Sequence, residues 1–180
     1  MTTLVIHPSD KSTDFLKPIY EGIKDCTIVT GGVTKDELME LISVHKRIIM
    51  LGHGVPQGLM SIGKFPTSNG LIIDSSFVEL LNEKTNNVYI WCNADQFVNK
   101  YKLKGFYSGM FVSEVGESNY YQVPSTQDVV TESNFSFSVI LGNHINEDKN
   151  TMFKNVMREY GVMTDVNIVS KYNHERLYLR

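Results

Sequence analysis

Short, nearly continuous apolar runs alternate along this chain with longer stretches in which apolar residues recur at helical spacing. Leu4-Val5-Ile6, Cys26-Thr27-Ile28-Val29, Arg47-Ile48-Ile49-Met50-Leu51, Asn87-Val88-Tyr89-Ile90-Trp91 and residues 105–112 read as strands, the most apolar of them with the character of strands buried on both faces. A helix is expected to start near Ser12 or Thr13 and run towards Ile23, although Pro18 is awkward inside it. Gly31-Gly32 supplies a turn before Thr34-Lys35-Asp36-Glu37, a capping box that opens a helix with Leu38, Leu41, Ile42 and His45 on one stripe.

Beyond the third run, Leu59-Met60-Ser61-Ile62 and Leu71-Ile72-Ile73 flank a tip rich in Gly, Pro and Asn and form a small hairpin in this reading. Asp74 or Ser75 can cap a helix carrying Phe77, Val78, Leu80 and Leu81, and a short helical turn is expected at 96–100. The polar segment 113–119 reads as a loop leaving the fifth strand. Two helices follow from Thr126, the second carrying Met152, Phe153, Val156, Met157 and Tyr160 and ending at Gly161. Either 166–169 or 176–179 supplies a sixth strand. Parallel neighbours need crossovers, and right-handed crossovers cover the sheet. The alternation therefore predicts an α/β fold with a mostly parallel sheet of about six strands and helices on both faces. With no internal repeat or low-complexity linker, residues 1–180 read as a single domain.

Charge and cysteine usage narrow the function. The 17 basic and 20 acidic residues leave a net charge of -3, without the basic excess of a nucleic-acid binder. No window approaches the roughly 18 continuous apolar residues of a membrane span, so no membrane partner is expected and a cytoplasmic location is the default. Cys26 and Cys92 sit in separate candidate strands without CxxC spacing, which suggests neither a zinc site nor a disulfide framework. No metal or other cofactor is expected, and a thiol is available for chemistry.

Two of the apolar runs end on reactive side chains: one reaches His53-Gly54, the other Cys92. If both are parallel strands, an imidazole and a thiol emerge at the carboxyl edge of one sheet, where open α/β folds place their ligands. A thiolate is a nucleophile, and a nearby imidazole can lower the thiol pKa or protonate a leaving group. Gly54, lacking Cβ, can bring its N–H close to a carbonyl oxygen, with the N–H of Cys92 as a second oxyanion donor.

The text IIMLGHG followed by VYIWCNAD resembles the caspase-type cysteine peptidases, clan CD, which include caspases, legumains, gingipains, clostripain and separase. The resemblance runs from the first strand to the fifth, roughly residues 4–118, including the small hairpin after His-Gly. It implies a caspase-hemoglobinase-like three-layer sandwich, with His53 and Gly54 as the family's His-Gly and Cys92 as its nucleophile. Trp91 stands where the family usually has a small residue. The loops that shape the family's substrate pocket correspond here to segments offering Asp10, Ser113, Glu114 and Glu117, an acidic excess that suits a basic P1 residue. The implied activity is that of a cysteine endopeptidase with a Cys-His dyad, acting on a peptide or protein without a cofactor.

Two other functions stand beside this one. A catalytically inactive caspase-like binding or adaptor domain would use the same groove to hold a partner. A nucleotide- or small-ligand-binding Rossmann-like domain would use Gly31-Gly32 and His53 against phosphate. Cys26, at the start of its strand, reads as structural, and His7 as either a substrate-orienting group or a turn histidine before Pro8. His45, His144 and His174 lack convergent partners in the sequence pattern.

Overall fold

The computed structural model describes residues 2–180. Its main sheet has the order β2-β1-β3-β7-β8-β9, formed by β1 (Thr3–Ile6), β2 (Cys26–Val29), β3 (Arg47–Leu51), β7 (Val88–Ile90), β8 (Phe106–Ser108) and β9 (Leu177–Leu179). All neighbours are parallel except β8 and β9. The expected α/β class and the six-stranded, mostly parallel sheet are therefore present.

Successive residues of a strand face opposite sides, and the core divides accordingly. Leu4, Ile6, Ile48, Met50 and Tyr89 pack on one face with Leu38 and Ile42 of α2 (Lys35–Val44), Leu81 of α3 (Val78–Asn82) and Phe97 and Val98 of α4 (Ala94–Tyr101). Val5, Ile49, Leu51, Val88 and Ile90 pack on the other. They meet Ile19 of α1 (Pro18–Glu21), Phe137 and Leu141 of α6 (Gln127–His144), and Met152, Val156 and Tyr160 of α7 (Lys149–Gly161). Each fully buried aliphatic side chain contributes roughly 1.5–3 kcal/mol of transfer free energy, so the apolar runs make the sheet the centre of three layers.

Arg47 opens β3 as a buried cation. Its Nε donates to Thr3 Oγ1 at 3.1 Å and its guanidinium also donates to the Ile145 carbonyl, which closes α6. That carbonyl sits at the negative end of the helix dipole, which offsets part of the cost of burying the charge.

Several boundaries differ from the sequence expectation. The helix expected from Ser12 to Ile23 is split into a 3-10 helix (Lys11–Leu16) and α1, because Pro18 cannot donate within a continuous helix and instead occupies the first turn of the second piece. The hairpin is a three-stranded sheet of β4 (Gly54–Val55), β5 (Gly58–Met60) and β6 (Leu71–Ile73). The fifth run leaves the sheet after Ser108, where Gly109 donates to the Arg176 carbonyl and the chain turns Phe111 inward between Phe15 and Phe137. The segment 113–119 is largely helical, with α5 (Val115–Tyr120) held at its start by Glu117 Oε2 on the Glu114 N–H. Of the two candidates for the sixth strand, 176–179 contains β9. The 166–169 alternative turns into α8 (Ile168–His174), because the Asn167 side chain accepts from Ser170 N and starts a helix. Among the described residues no helix is long and apolar enough to cross a membrane.

Candidate active site

The last registered pair between β3 and β7 is Leu51 with Ile90, and Gly52 N continues the ladder by donating to Ile90 O at 3.0 Å. His53 and Cys92 each stand two residues beyond that pair and leave the sheet at the same level. From β1 the chain steps first to one side, to β2, and then to the other, to β3. The carboxyl ends of β1 and β3 therefore flank a switch point, the crevice where α/β sheets hold ligands. Loops after β1, β3, β7 and β8 converge there.

His53 and Cys92 line one small cavity of about 20 Å³, together with Gly52, Phe15, Phe111 and Ser113. Such a space holds about one water molecule. The Cys92 thiol donates to the Phe111 carbonyl at 3.5 Å. Burial pushes its pKa up to about 12, with a further contribution from the Glu117 carboxylate. The resting thiol is protonated and half-buried. Phe15 and Phe111 are stacked with ring centroids 6.4 Å apart, and Phe15 and Ser113 also line a broader groove of about 750 Å³, whose walls include Lys11, Ser12, Glu114, Asn134 and Phe135.

Sequence reasoning missed a neighbour of the imidazole. Ser12 Oγ lies 2.6 Å from His53 Nε2, and the same hydroxyl donates to Asp10 Oδ1 at 2.8 Å. Asp10 Oδ1 also accepts from Ser12 N at 2.9 Å, capping the 3-10 helix, and these bonds hold the Asp10 carboxyl below its usual pKa. The signal available beforehand was the Asp-x-Ser spacing, a recurrent turn motif in which a short acidic side chain satisfies the amide two residues on.

Gly54 is required by packing. A Cβ there would sit 2.0 Å from Cδ1 of Trp91, so the indole lies directly against the glycine while its Nε1 donates to Val55 O at 3.2 Å. The large residue before Cys92 is thereby accommodated: β4, in the neighbouring small sheet, has no side chain at the contact. Met60 N donates to His53 O at 2.9 Å, so Gly54 occupies the alternate, non-hydrogen-bonded position of the β4–β5 ladder and its N–H points away from β5.

The expected substrate-binding residues separate into two groups. Asp10 caps the Ser12 turn. Glu117 accepts from Ser113 N at 2.8 Å, Ser113 Oγ at 3.2 Å and Glu114 N at 3.2 Å, so both it and Ser113 are engaged within their own loop. Glu114 is exposed and lines the groove with Asp14 and Glu21. Gly31-Gly32 faces the small sheet: Gly32 N donates to Lys64 O at 2.9 Å, and a Cβ on Gly31 would meet that oxygen at 2.9 Å. This use of the turn disfavours a phosphate cradle. Cys26 lies at the amino end of β2, on the edge opposite Cys92, and among the described residues no group of three His, Cys, Asp or Glu side chains is arranged to hold a metal.

His7 is buried, with Nδ1 3.0 Å from the Tyr20 hydroxyl and Nε2 3.1 Å from Thr13 Oγ1, which makes it a strut under the Ser12 turn. Burial lowers its pKa to about 4 from the ordinary 6.5. The neutral ring therefore contributes stability that is full above pH 6.5 and is lost as pH falls from there to about 4, a change on the order of 3 kcal/mol. Urea unfolding at pH 7 and pH 4 should show this loss, and His7→Gln should lack that component of it.

Compared with family models, with curated proteins and with solved structures, the chain has no significant match.

Proposed function

We propose that the protein is a caspase-type cysteine endopeptidase acting through Cys92 and His53. The observation that carries this reading is the level exit of the two residues from adjacent parallel strands into one cavity beside a substrate-sized groove. A peptide entering from the groove displaces the Phe15 and Phe111 rings and reaches the thiol. Cys92 Sγ bonds to the peptide carbonyl carbon as the thiol proton passes to His53, and the N–H groups of Gly54 and Cys92 receive the oxyanion. The C–N bond then breaks as His53 returns the proton to the leaving amine. A water molecule, losing its proton to His53, clears the acyl-enzyme and releases the thiol. The groove carboxylates of Glu114, Asp14 and Glu21 outnumber the ammonium groups of Lys11 and Lys17, which favours a basic P1 side chain.

A peptidyl acyloxymethyl ketone with arginine at P1 tests the reading on the full chain. Labelling is expected for the wild type, with loss in Cys92→Ala and a fall of about a hundredfold or more in His53→Ala. Labelling that survives Cys92→Ala, or its absence with every P1 side chain in a broad panel, favours the inactive binding domain instead.

A further inference from the structure

The turn after β1 places a hydroxyl where it can control the imidazole. We propose that Ser12, held by Asp10, is a positioning residue that fixes His53 as the tautomer protonated on Nε2 and so reserves Nδ1 for the Cys92 proton. The last clause rests on the peptidase reading, whereas the tautomer assignment rests on geometry alone.

A serine hydroxyl carries one proton and two acceptor lone pairs. Ser12 directs its proton to Asp10 Oδ1 at 2.8 Å and therefore faces His53 Nε2, 2.6 Å away, as an acceptor. The nitrogen on the other side of that contact must bring the hydrogen. A neutral imidazole has one N–H, so Nδ1 retains its lone pair.

The holder is itself fixed. Asp10 Oδ1 also accepts from Ser12 N at 2.9 Å, while the Asp10 carbonyl accepts from Thr13 N and Thr13 Oγ1, both at 3.1 Å. His7 in turn packs beneath Thr13. Ser12 and His53 come from the loops after β1 and β3, which are adjacent strands, so the contact is set by the sheet.

During the reaction no proton travels along this chain. Nδ1 takes the thiol proton and later gives it to the leaving amine. Nε2 keeps its own proton throughout, and the hydroxyl keeps the one it shares with Asp10. When the imidazolium forms, the Nε2–H bond to Ser12 becomes charge-assisted, with the Asp10 carboxylate one hydrogen bond further on. This orientation also argues against Ser12 as the nucleophile, since its proton points to Asp10 and away from the base.

Nitrogen-15 spectra of the full chain labelled at histidine give a readout that does not depend on activity. The wild type should show His53 protonated on Nε2 and bare at Nδ1. Ser12→Ala should show a mixture of tautomers, and Ser12→Thr should restore the wild-type pattern. In parallel, labelling by the P1-arginine acyloxymethyl ketone should fall about a hundredfold in Ser12→Ala and recover in Ser12→Thr. If Ser12→Ala fails to fold, Asp10→Asn, which still caps the turn, should produce a partial shift towards the other tautomer. A wild-type His53 protonated on Nδ1, a tautomer indifferent to Ser12→Ala and Asp10→Asn, or a ketone adduct on Ser12 would overturn the proposal. Absence of labelling in every variant, with the tautomer pattern intact, removes the peptidase reading and leaves the Ser12 assignment standing.

Discussion

At pH 8, Cys92 of the resting protein should react with iodoacetamide about a thousandfold more slowly than an exposed cysteine. The thiolate is the reacting species, and an unperturbed thiol is partly ionised at that pH because its pKa is about 8.5. Cys92, with its pKa pushed up to about 12, has only a trace of thiolate, and the stacked Phe15 and Phe111 rings restrict access further. Its alkylation rate should rise about tenfold per pH unit without levelling off below pH 10. Glu117→Gln, which keeps an acceptor for the Ser113 and Glu114 amides but removes the charge, should raise the rate. Phe15→Ala should raise it more by opening the cavity to the groove. Site-resolved mass spectrometry measures each rate, and a plateau below pH 9 would show that burial raises the thiol pKa less than described. A suppressed thiol is compatible with a catalytic role, because the proton can leave for His53 as the new bond forms.

Gly54→Ala should lower stability by about 1–3 kcal/mol, the usual cost of forcing extra volume into a packed site. The added methyl group would sit 2.0 Å from Trp91 Cδ1, far inside contact distance. The indole has little room to retreat. It is 1% exposed, with Tyr89 and Phe97 edge-on at ring centroid distances of 5.8 Å, and its N–H is bonded to Val55 O. Trp91→Ala alone should cost about 3–5 kcal/mol from lost burial and the cavity left behind. In the double variant the contacts with the ring are gone and only the 2.8 Å approach to Cβ at position 91 remains, so its loss should be smaller than the sum of the single ones, and urea unfolding of the four proteins measures the difference. Additive losses would mean that the glycine is not held by Trp91.

How far these features could be read in advance depended on whether their causes were local. The strands β3 and β7 were legible because buried parallel strands read as near-continuous apolar runs, and their register puts the residues just beyond them, His53 and Cys92, at one edge of the sheet. Thr34 and Glu37 announced α2, since a capping box is complete within four residues. Residues 109–112 looked like more strand, yet a tertiary contact decided them: Phe111 leaves the sheet to pack with Phe137, their ring centroids 4.7 Å apart. The helix α5 was hidden by its polar composition, although Glu114 and Glu117 already had capping spacing. Within the site, the acidic residues were read as facing a basic substrate side chain. Asp10 and Glu117 instead satisfy amides of their own loops, a use that spacing permits but only backbone geometry reveals. The contact of Ser12 with His53 joins residues 41 positions apart, so the Asp-x-Ser spacing could announce the turn but not the contact.

The most direct measurement is a crystal structure of the full chain after reaction with the P1-arginine acyloxymethyl ketone. The expected result is a thioether at Cys92 Sγ, the ketone oxygen facing the Gly54 N–H, the Phe15 and Phe111 rings moved apart, and His53 still bonded through Nε2 to Ser12. A reagent bound to any other side chain, or an unmodified Cys92 still closed beneath those two rings, would contradict the catalytic role given to the cysteine and histidine.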